Sequence, residues 1–194
     1  MRRMKINEIF YSVQGEGFYA GTPAIFIRFS GCNLRCPFCD TEHEEGRVMT
    51  EEEVVAAAKA FPAQLVVLTG GEPSLFVSEH FVDALHQTGK YVAMETNGTH
   101  NVPSNLDWVT FSPKDAFVEA TNVLTRCHEL KLVFDGKVDP AAYECVQAEH
   151  YFLQPCDFGD EARNVQITQA VFNYCLAHPK WKISVQLHKI LNVR

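Results

Sequence analysis

Gly31-Cys32-Asn33-Leu34-Arg35-Cys36-Pro37-Phe38-Cys39-Asp40-Thr41 carries three cysteines in a three-then-two spacing, which wraps a short loop around one soft metal centre. Thiolates select zinc, copper(I) or iron–sulfur clusters. A structural zinc site or an ordinary four-cysteine cluster wants a fourth ligand at similar spacing, often from a second Cys-x-x-Cys pair. The remaining cysteines, Cys127, Cys145, Cys156 and Cys175, stand singly and far apart. Two readings follow: a cubane cluster held through three irons with the fourth left open, or a zinc knuckle completed by His43 or Asp40.

The loop follows a strand, and so does every other motif with chemical potential. Short β-branched and aromatic runs alternate with helical patterns, the rhythm of a parallel sheet built from βα units. Strands are expected at 24–29, 65–69, 91–95, 108–111, 129–134, 151–154 and 183–187. Thr50-Glu51-Glu52-Glu53 reads as a capping box, Ser78 as the cap of a helix closed by Gly89, and Asp139-Pro140 as a cap with proline at the first helical position. Val171, Phe172, Cys175 and Leu176 form an apolar helical stripe ended by Pro179. The segment from Thr96 to Pro103 is polar with glycine and proline, so no helix is expected there. The fold class that results is α/β, a partial, open parallel β/α barrel with a reduced helical layer.

In such barrels the site lies at the carboxyl ends of the strands. That face would gather the cysteine loop, Gly70-Gly71-Glu72-Pro73, Thr96-Asn97-Gly98, Ser112-Pro113-Lys114, Gln154-Pro155-Cys156-Asp157 and His188-Lys189. Read alone, most of these are turns: the glycines permit a tight strand exit, Lys114 can be a solvated cation, Asn97 a turn former and Thr41 an ordinary turn threonine. Arg28 is more pointed. Period two puts Phe26, Arg28 and Ser30 on one face of a strand too apolar for a wet surface, so its guanidinium needs an anion. That anion is either a structural partner, Glu16 or Glu95, or a ligand carboxylate gripped in bidentate fashion.

At 194 residues with 46% apolar content, the chain is read as one domain, 1–194. Acidic residues exceed basic ones by seven and no Lys/Arg-rich run appears, which argues against direct binding to nucleic acid. Asn7 and Glu8 interrupt the apolar stretch near the N-terminus, so no leader or membrane segment is expected. Seven cysteines, three of them clustered, fit a reducing compartment, and the expected location is cytoplasmic.

The cysteine spacing, with the aromatic Phe38 directly before Cys39, resembles the signature of the radical S-adenosylmethionine enzymes. Asn7-Glu8-Ile9-Phe10 through Gln14-Gly15-Glu16-Gly17, Phe26-Ile27-Arg28, Cys39-Asp40-Thr41 and Gln186-Leu187-His188-Lys189 together resemble the 7-carboxy-7-deazaguanine synthases over nearly the whole chain. The resemblance implies conversion of 6-carboxytetrahydropterin to 7-carboxy-7-deazaguanine with loss of ammonia, on the route to queuosine. It implies a [4Fe-4S] cluster on Cys32, Cys36 and Cys39, cleaved S-adenosylmethionine as radical source, and Mg²⁺ on Thr41.

By the same resemblance Phe38, Asp40, Gly71, Glu72, Asn97, Ser112, Pro113, Lys114, Gln154 and Asp157 would meet S-adenosylmethionine. Val13, Gln14, Gly15, Glu16, Arg28, Thr69, His188 and Arg194 would line the pterin pocket. A substrate loop at 5–20, a cluster loop at 31–41 and a closing segment at 182–194 complete the picture, with a flavodoxin- or ferredoxin-type reductant and a homodimer implied. Two rivals from other classes remain at this point: a radical activase of a glycyl-radical enzyme, and a zinc-binding interaction module.

Overall fold

The computed structural model describes residues 2–39, 41–42 and 44–193. Among the described residues nine strands form one sheet in the order β3-β1-β2-β4-β5-β6-β7-β8-β9. From β2 (Pro23–Phe29) through β4 (Leu65–Gly70), β5 (Tyr91–Thr96), β6 (Trp108–Phe111), β7 (Arg126–Phe134), β8 (Gln147–Pro155) and β9 (Trp181–Ile183), every pairing is parallel. Two strands absent from the sequence expectation, β1 (Arg3–Val13) and the short β3 (Arg47–Thr50), add on antiparallel at one edge. The expected open α/β barrel is therefore present, with an antiparallel extension. Residues 5–13 belong to β1, so the loop of the expected 5–20 segment starts only at Gln14.

Helices cover the convex face unevenly. The Thr50 hydroxyl accepts from the Glu53 amide and the Glu53 carboxylate from the Thr50 amide, closing the capping box of α1 (Glu51–Lys59). Ser78 caps α2 (Glu79–His86), while Asp139 starts only a single 3₁₀ turn, Pro140–Tyr143. Nothing helical lies between β5 and β6. The long α3 (Glu161–Ala177) corrects one expectation: of its stripe only Val171 is fully buried, whereas Phe172 and Leu176 are exposed. At 100° per residue the positions beneath Val171 are Tyr174 and Cys175, and these pack on the core.

The last strand is also corrected. Instead of 183–187 it spans Trp181–Ile183, with buried Trp181 as its anchor, and a short helix α4 (Leu187–Leu191) follows. The chain leaves the sheet because the next polar side chains are used elsewhere. The Ser184 hydroxyl accepts from the Gly17 amide (3.0 Å) and donates to Gln154 (2.9 Å), and Gln186 reaches Glu16 (2.9 Å).

The concave face is built in two layers, because every inward position of a parallel strand recurs with period two and neighbouring strands are in register. Phe26, Val67, Ala93 and Trp108 lie side by side across β2, β4, β5 and β6 and form an apolar floor with Phe10, Ala24 and Leu65. Phe18 stacks on Trp108 (4.9 Å between centroids) and His150 (4.4 Å) below it. Two residues further along each strand the inward side chains turn polar: Arg28 beside Thr69, Glu95 beside Thr110, then Lys131 and Gln154. The convex face packs Ile25, Ile27, Leu68, Met94, Leu130 and Leu153 against the helices.

Glu129, in register with Thr110, is 2% exposed and accepts from the Phe18 amide (3.0 Å). Burial pushes its carboxyl up to about 7, against the pull of the Lys131 ammonium. An unfolded glutamate ionises near 4.5, so between 4.5 and 7 the folded state binds the extra proton and stability falls as pH rises. Glu129→Gln removes that cost, on the order of 1–3 kcal/mol above pH 7. The expected result is a higher thermal midpoint than wild type at pH 8, with the gain shrinking toward pH 5.

Candidate active site

Strand ends and loops enclose one cavity of about 450 Å³ at the carboxyl end of the parallel strands, a volume suited to a small ligand. Cys32, Cys36, Cys39 and Thr41 line one side, Gly71, Glu72, Asn97, Ser112 and Lys114 the next, and Gln154 and Asp157 follow. Val13 to Glu16, Arg28, Thr69 and His188 also line it, and so does Phe38 of the cysteine loop, which packs edge-on against Phe117 (4.6 Å). Pro113 is buried behind this wall and does not reach it. Asp40 and Arg194, and His43 of the zinc reading, lie outside the described residues.

The cysteine loop is bolted to the ends of two strands. The Gly71 amide donates to the Phe29 carbonyl (2.8 Å) and the Glu72 amide to the Gly31 carbonyl (2.9 Å). The fit is so close that a Cβ on Gly71 would run into the Gly31 carbonyl. The Glu72 carboxylate, 1% exposed, accepts from the Thr96 hydroxyl (2.6 Å), the Asn97 amide (2.7 Å) and the Ser74 amide (3.0 Å). It therefore braces the end of β4 to the end of β5, and with three donors satisfied it keeps only one of its four lone-pair directions. The Asn97 side chain donates to Asn33 inside the cysteine loop (3.1 Å), and Thr99 closes the set by accepting from Asn33 (2.9 Å).

Burial pushes the thiols of Cys32 and Cys36 up, with the Lys114 ammonium working against it. A thiolate bound to iron is deprotonated outright. An all-thiolate donor set of three on one glycine-flanked loop fits an iron–sulfur cluster with one open position. Lys114 donates to the Ser112 carbonyl (2.8 Å) and hydroxyl (2.5 Å); burial, helped by nearby Lys131, holds its pKa down to about 8. An arriving carboxylate would restore its charge. Asp157 is held ionised by Lys189 (2.5 Å), the Gly159 amide (2.9 Å) and Asn164 (2.8 Å), which keep its carboxyl well below the usual range.

The polar layer supplies the rest. Arg28 pairs with neither Glu16 nor Glu95 but with Glu8 on β1 (3.3 Å), its cross-strand neighbour, and sits over the Phe10 ring. Glu95 accepts from Gln14 (2.8 Å) and Thr69 (3.4 Å). Glu16 accepts from Lys131 (2.5 Å), Gln154 (3.0 Å) and Gln186 (2.9 Å). Burial alone would raise the Glu16 carboxyl; the Lys131 charge and these donors reverse it and hold it at about 2. Lys131, Glu95 and Gln186 line the cavity but are missing from the residues expected from sequence. For Lys131 the signal was present: Glu129-Leu130-Lys131-Leu132 alternates charge with leucine in a strand otherwise fit for burial, the pattern that singled out Arg28.

The chain matches the Radical SAM superfamily over residues 26–127. It is 50% identical over 190 residues to the 7-carboxy-7-deazaguanine synthase of Bacteroides thetaiotaomicron, covering 98% of each chain. It is 41% identical over 211 residues to the enzyme of the same name from Caulobacter vibrioides, covering 97% of this chain and 98% of that one. Among solved structures it resembles that described as QueE from Escherichia coli with a TM-score of 0.76 and 28% identity, covering 96% of this chain and 95% of the other.

The Gly71–Gly31 contact makes a direct prediction. Gly71→Ala pushes the cysteine loop off the end of β4, so the variant, reconstituted with iron and sulfide, is expected to retain well under half the wild-type iron per chain. Full iron content in that variant would show that the loop tolerates the displacement.

Proposed function

The chain belongs to the radical S-adenosylmethionine superfamily and within it to the 7-carboxy-7-deazaguanine synthases, and from this premise we propose how its residues divide the work. It is a radical S-adenosylmethionine lyase of queuosine biosynthesis carrying a [4Fe-4S] cluster, and neither the activase nor the zinc-module reading is favoured. The reaction assigned to it converts 6-carboxytetrahydropterin to 7-carboxy-7-deazaguanine and ammonia. The observation that carries the substrate reading is the polar layer: two cations, Arg28 and Lys131, a carboxylate pair and amide side chains face a cavity that the cysteine loop also lines.

When bound, the cluster and S-adenosylmethionine would supply the radical chemistry for hydrogen-atom abstraction. Cys32, Cys36 and Cys39 would hold the cluster. The backbone of Gly70 to Glu72 would receive the cofactor's ammonium, and Ser112 with Lys114 its carboxylate. Arg28, kept at the cavity wall by Glu8 and Phe10, would take the pterin carboxylate in bidentate fashion. Val13 to Glu16, Thr69 and His188 would surround the ring, and this positioning is itself a large share of the rate, because about 1 Å of misplacement costs about a hundredfold.

Mg²⁺ on Thr41 is part of this reading, supported by the position of that threonine beside Cys39 at the cavity wall; it would take one protein oxygen and complete its shell with substrate oxygen and water. A flavodoxin- or ferredoxin-type reductant, a homodimer and a cytoplasmic location are proposed on the resemblance. No helix of the described residues is long and apolar enough to cross a membrane, and all seven cysteines are free.

The test is an anaerobic assay of reconstituted protein with S-adenosylmethionine, reductant, Mg²⁺ and 6-carboxytetrahydropterin, followed by mass spectrometry. The expected product is 7-carboxy-7-deazaguanine, absent in Cys36→Ala. Arg28→Ala is expected to weaken pterin binding by about tenfold or more while S-adenosylmethionine binding is unchanged. Cleavage of S-adenosylmethionine without deazaguanine product would contradict the substrate assignment.

A further inference from the structure

Lys131 is 4% exposed and lies on β7 among leucines, yet its ammonium lies 2.5 Å from Glu16 and 3.5 Å from Glu95. A buried cation of this kind is costly unless something needs it. Glu16 comes from the loop that joins β1 to β2, and its second oxygen accepts from Gln154 on β8 and Gln186 before α4. The three donors use three of the four lone-pair directions of the carboxylate and leave one for a ligand. Resting on the substrate reading above, we propose that Lys131 is a positioning residue that keeps Glu16 charged and fixed in place, so that it accepts one N–H from the aminopyrimidinone edge of the bound pterin.

The groups that face Glu16 decide what happens without that cation. Glu129 shares β7, Glu95 lies on β5, Lys114 follows β6, and Arg28 and His188 line the same cavity. With Lys131 neutralised, burial and two neighbouring carboxylates act on Glu16, against Lys114 and Arg28. Its carboxyl would then move up from its wild-type range, and a protonated carboxyl cannot accept the ligand's N–H at its charged strength. Lys131 itself is no proton donor at neutral pH, because Glu16, Glu95 and Glu129 outweigh its burial and hold its pKa above the ordinary lysine value.

The experiment measures the dissociation constant of 6-carboxytetrahydropterin for the cluster-loaded, S-adenosylmethionine-bound enzyme without reductant, by anaerobic calorimetry from pH 6 to 9. Wild type is expected to bind with little pH dependence from this group. Lys131→Met is expected to bind about tenfold or more weakly at pH 6.5 and to recover as pH rises; Lys131→Arg restores the wild-type profile, and KM moves more than kcat. An unchanged profile in Lys131→Met, or a loss equal at every pH that arginine does not rescue, overturns the proposal. If the single variant does not fold, Glu16→Gln/Lys131→Met carries no uncompensated charge of that pair. It should bind like Glu16→Gln alone, and a further tenfold loss overturns the proposal.

An infrared difference spectrum, wild type minus Glu16→Gln, reads the same carboxylate without any pterin. It should be ionised down to pH 4 in wild type and already protonated at pH 5 in Lys131→Met. A Glu16 carboxylate still ionised at pH 5 in Lys131→Met overturns the role of Lys131. Failure of wild type to bind the pterin would instead overturn the substrate reading.

Discussion

An open sheet has a gap, and the carboxylate of Glu16 is where this one is closed. It belongs to the loop after β1, at one side of the sheet, and it accepts from β7, β8 and the segment after β9, at the other. Two further links run alongside: the Leu187 amide to the Gly15 carbonyl (2.8 Å) and the Gly17 amide to the Ser184 hydroxyl (3.0 Å). Gly15 has no room for a side chain because the His188 ring already fills that space. The contact that shapes the pocket therefore also holds the loop after β1 to the segment after β9, so binding geometry and closure are coupled.

The division of the concave face into an apolar floor and a polar layer follows from strand period and register alone. Once Phe26, Val67, Ala93 and Trp108 are aligned at one level, the residues two positions on must align at the next. The floor excludes water from below, which strengthens every charge interaction above it. It also makes each unpaired charge expensive, and the layer responds by pairing: Arg28 with Glu8, and Lys131 with Glu16 and Glu95. Glu129, in register with Thr110 and without a cation of its own, is the group left with a raised pKa.

Much of this was legible in the chain, and the exceptions have physical causes. Parallel strands buried on both faces announce themselves as apolar runs, and capping residues at Thr50, Ser78 and Asp139 mark their own turns. β1 escaped because its register shifts between Ile6 and Glu8: Met4 and Ile6 pack on the convex core and Phe10 on the floor, so no single period runs through it. The end of β9 was misplaced because Ser184 and Gln186 are spent on the Glu16 loop, a tertiary demand that local propensity does not record. Motifs after strands were easy to see because glycine and proline punctuate them. Lys131 was hidden by lying inside a strand, where only alternation reveals it, Glu95 was legible only as a partner for Arg28, and the observed partner of Arg28 depended on β1 being recognised as a strand.

The most direct measurement is a crystal structure of the cluster-loaded enzyme with S-adenosylmethionine and 6-carboxytetrahydropterin. The account predicts the cluster on the 31–41 loop, the pterin carboxylate on Arg28, and the ring above the floor with one N–H on a Glu16 still paired to Lys131. A pterin bound away from this layer, or a Glu16 released from Lys131 when the ring arrives, would contradict it.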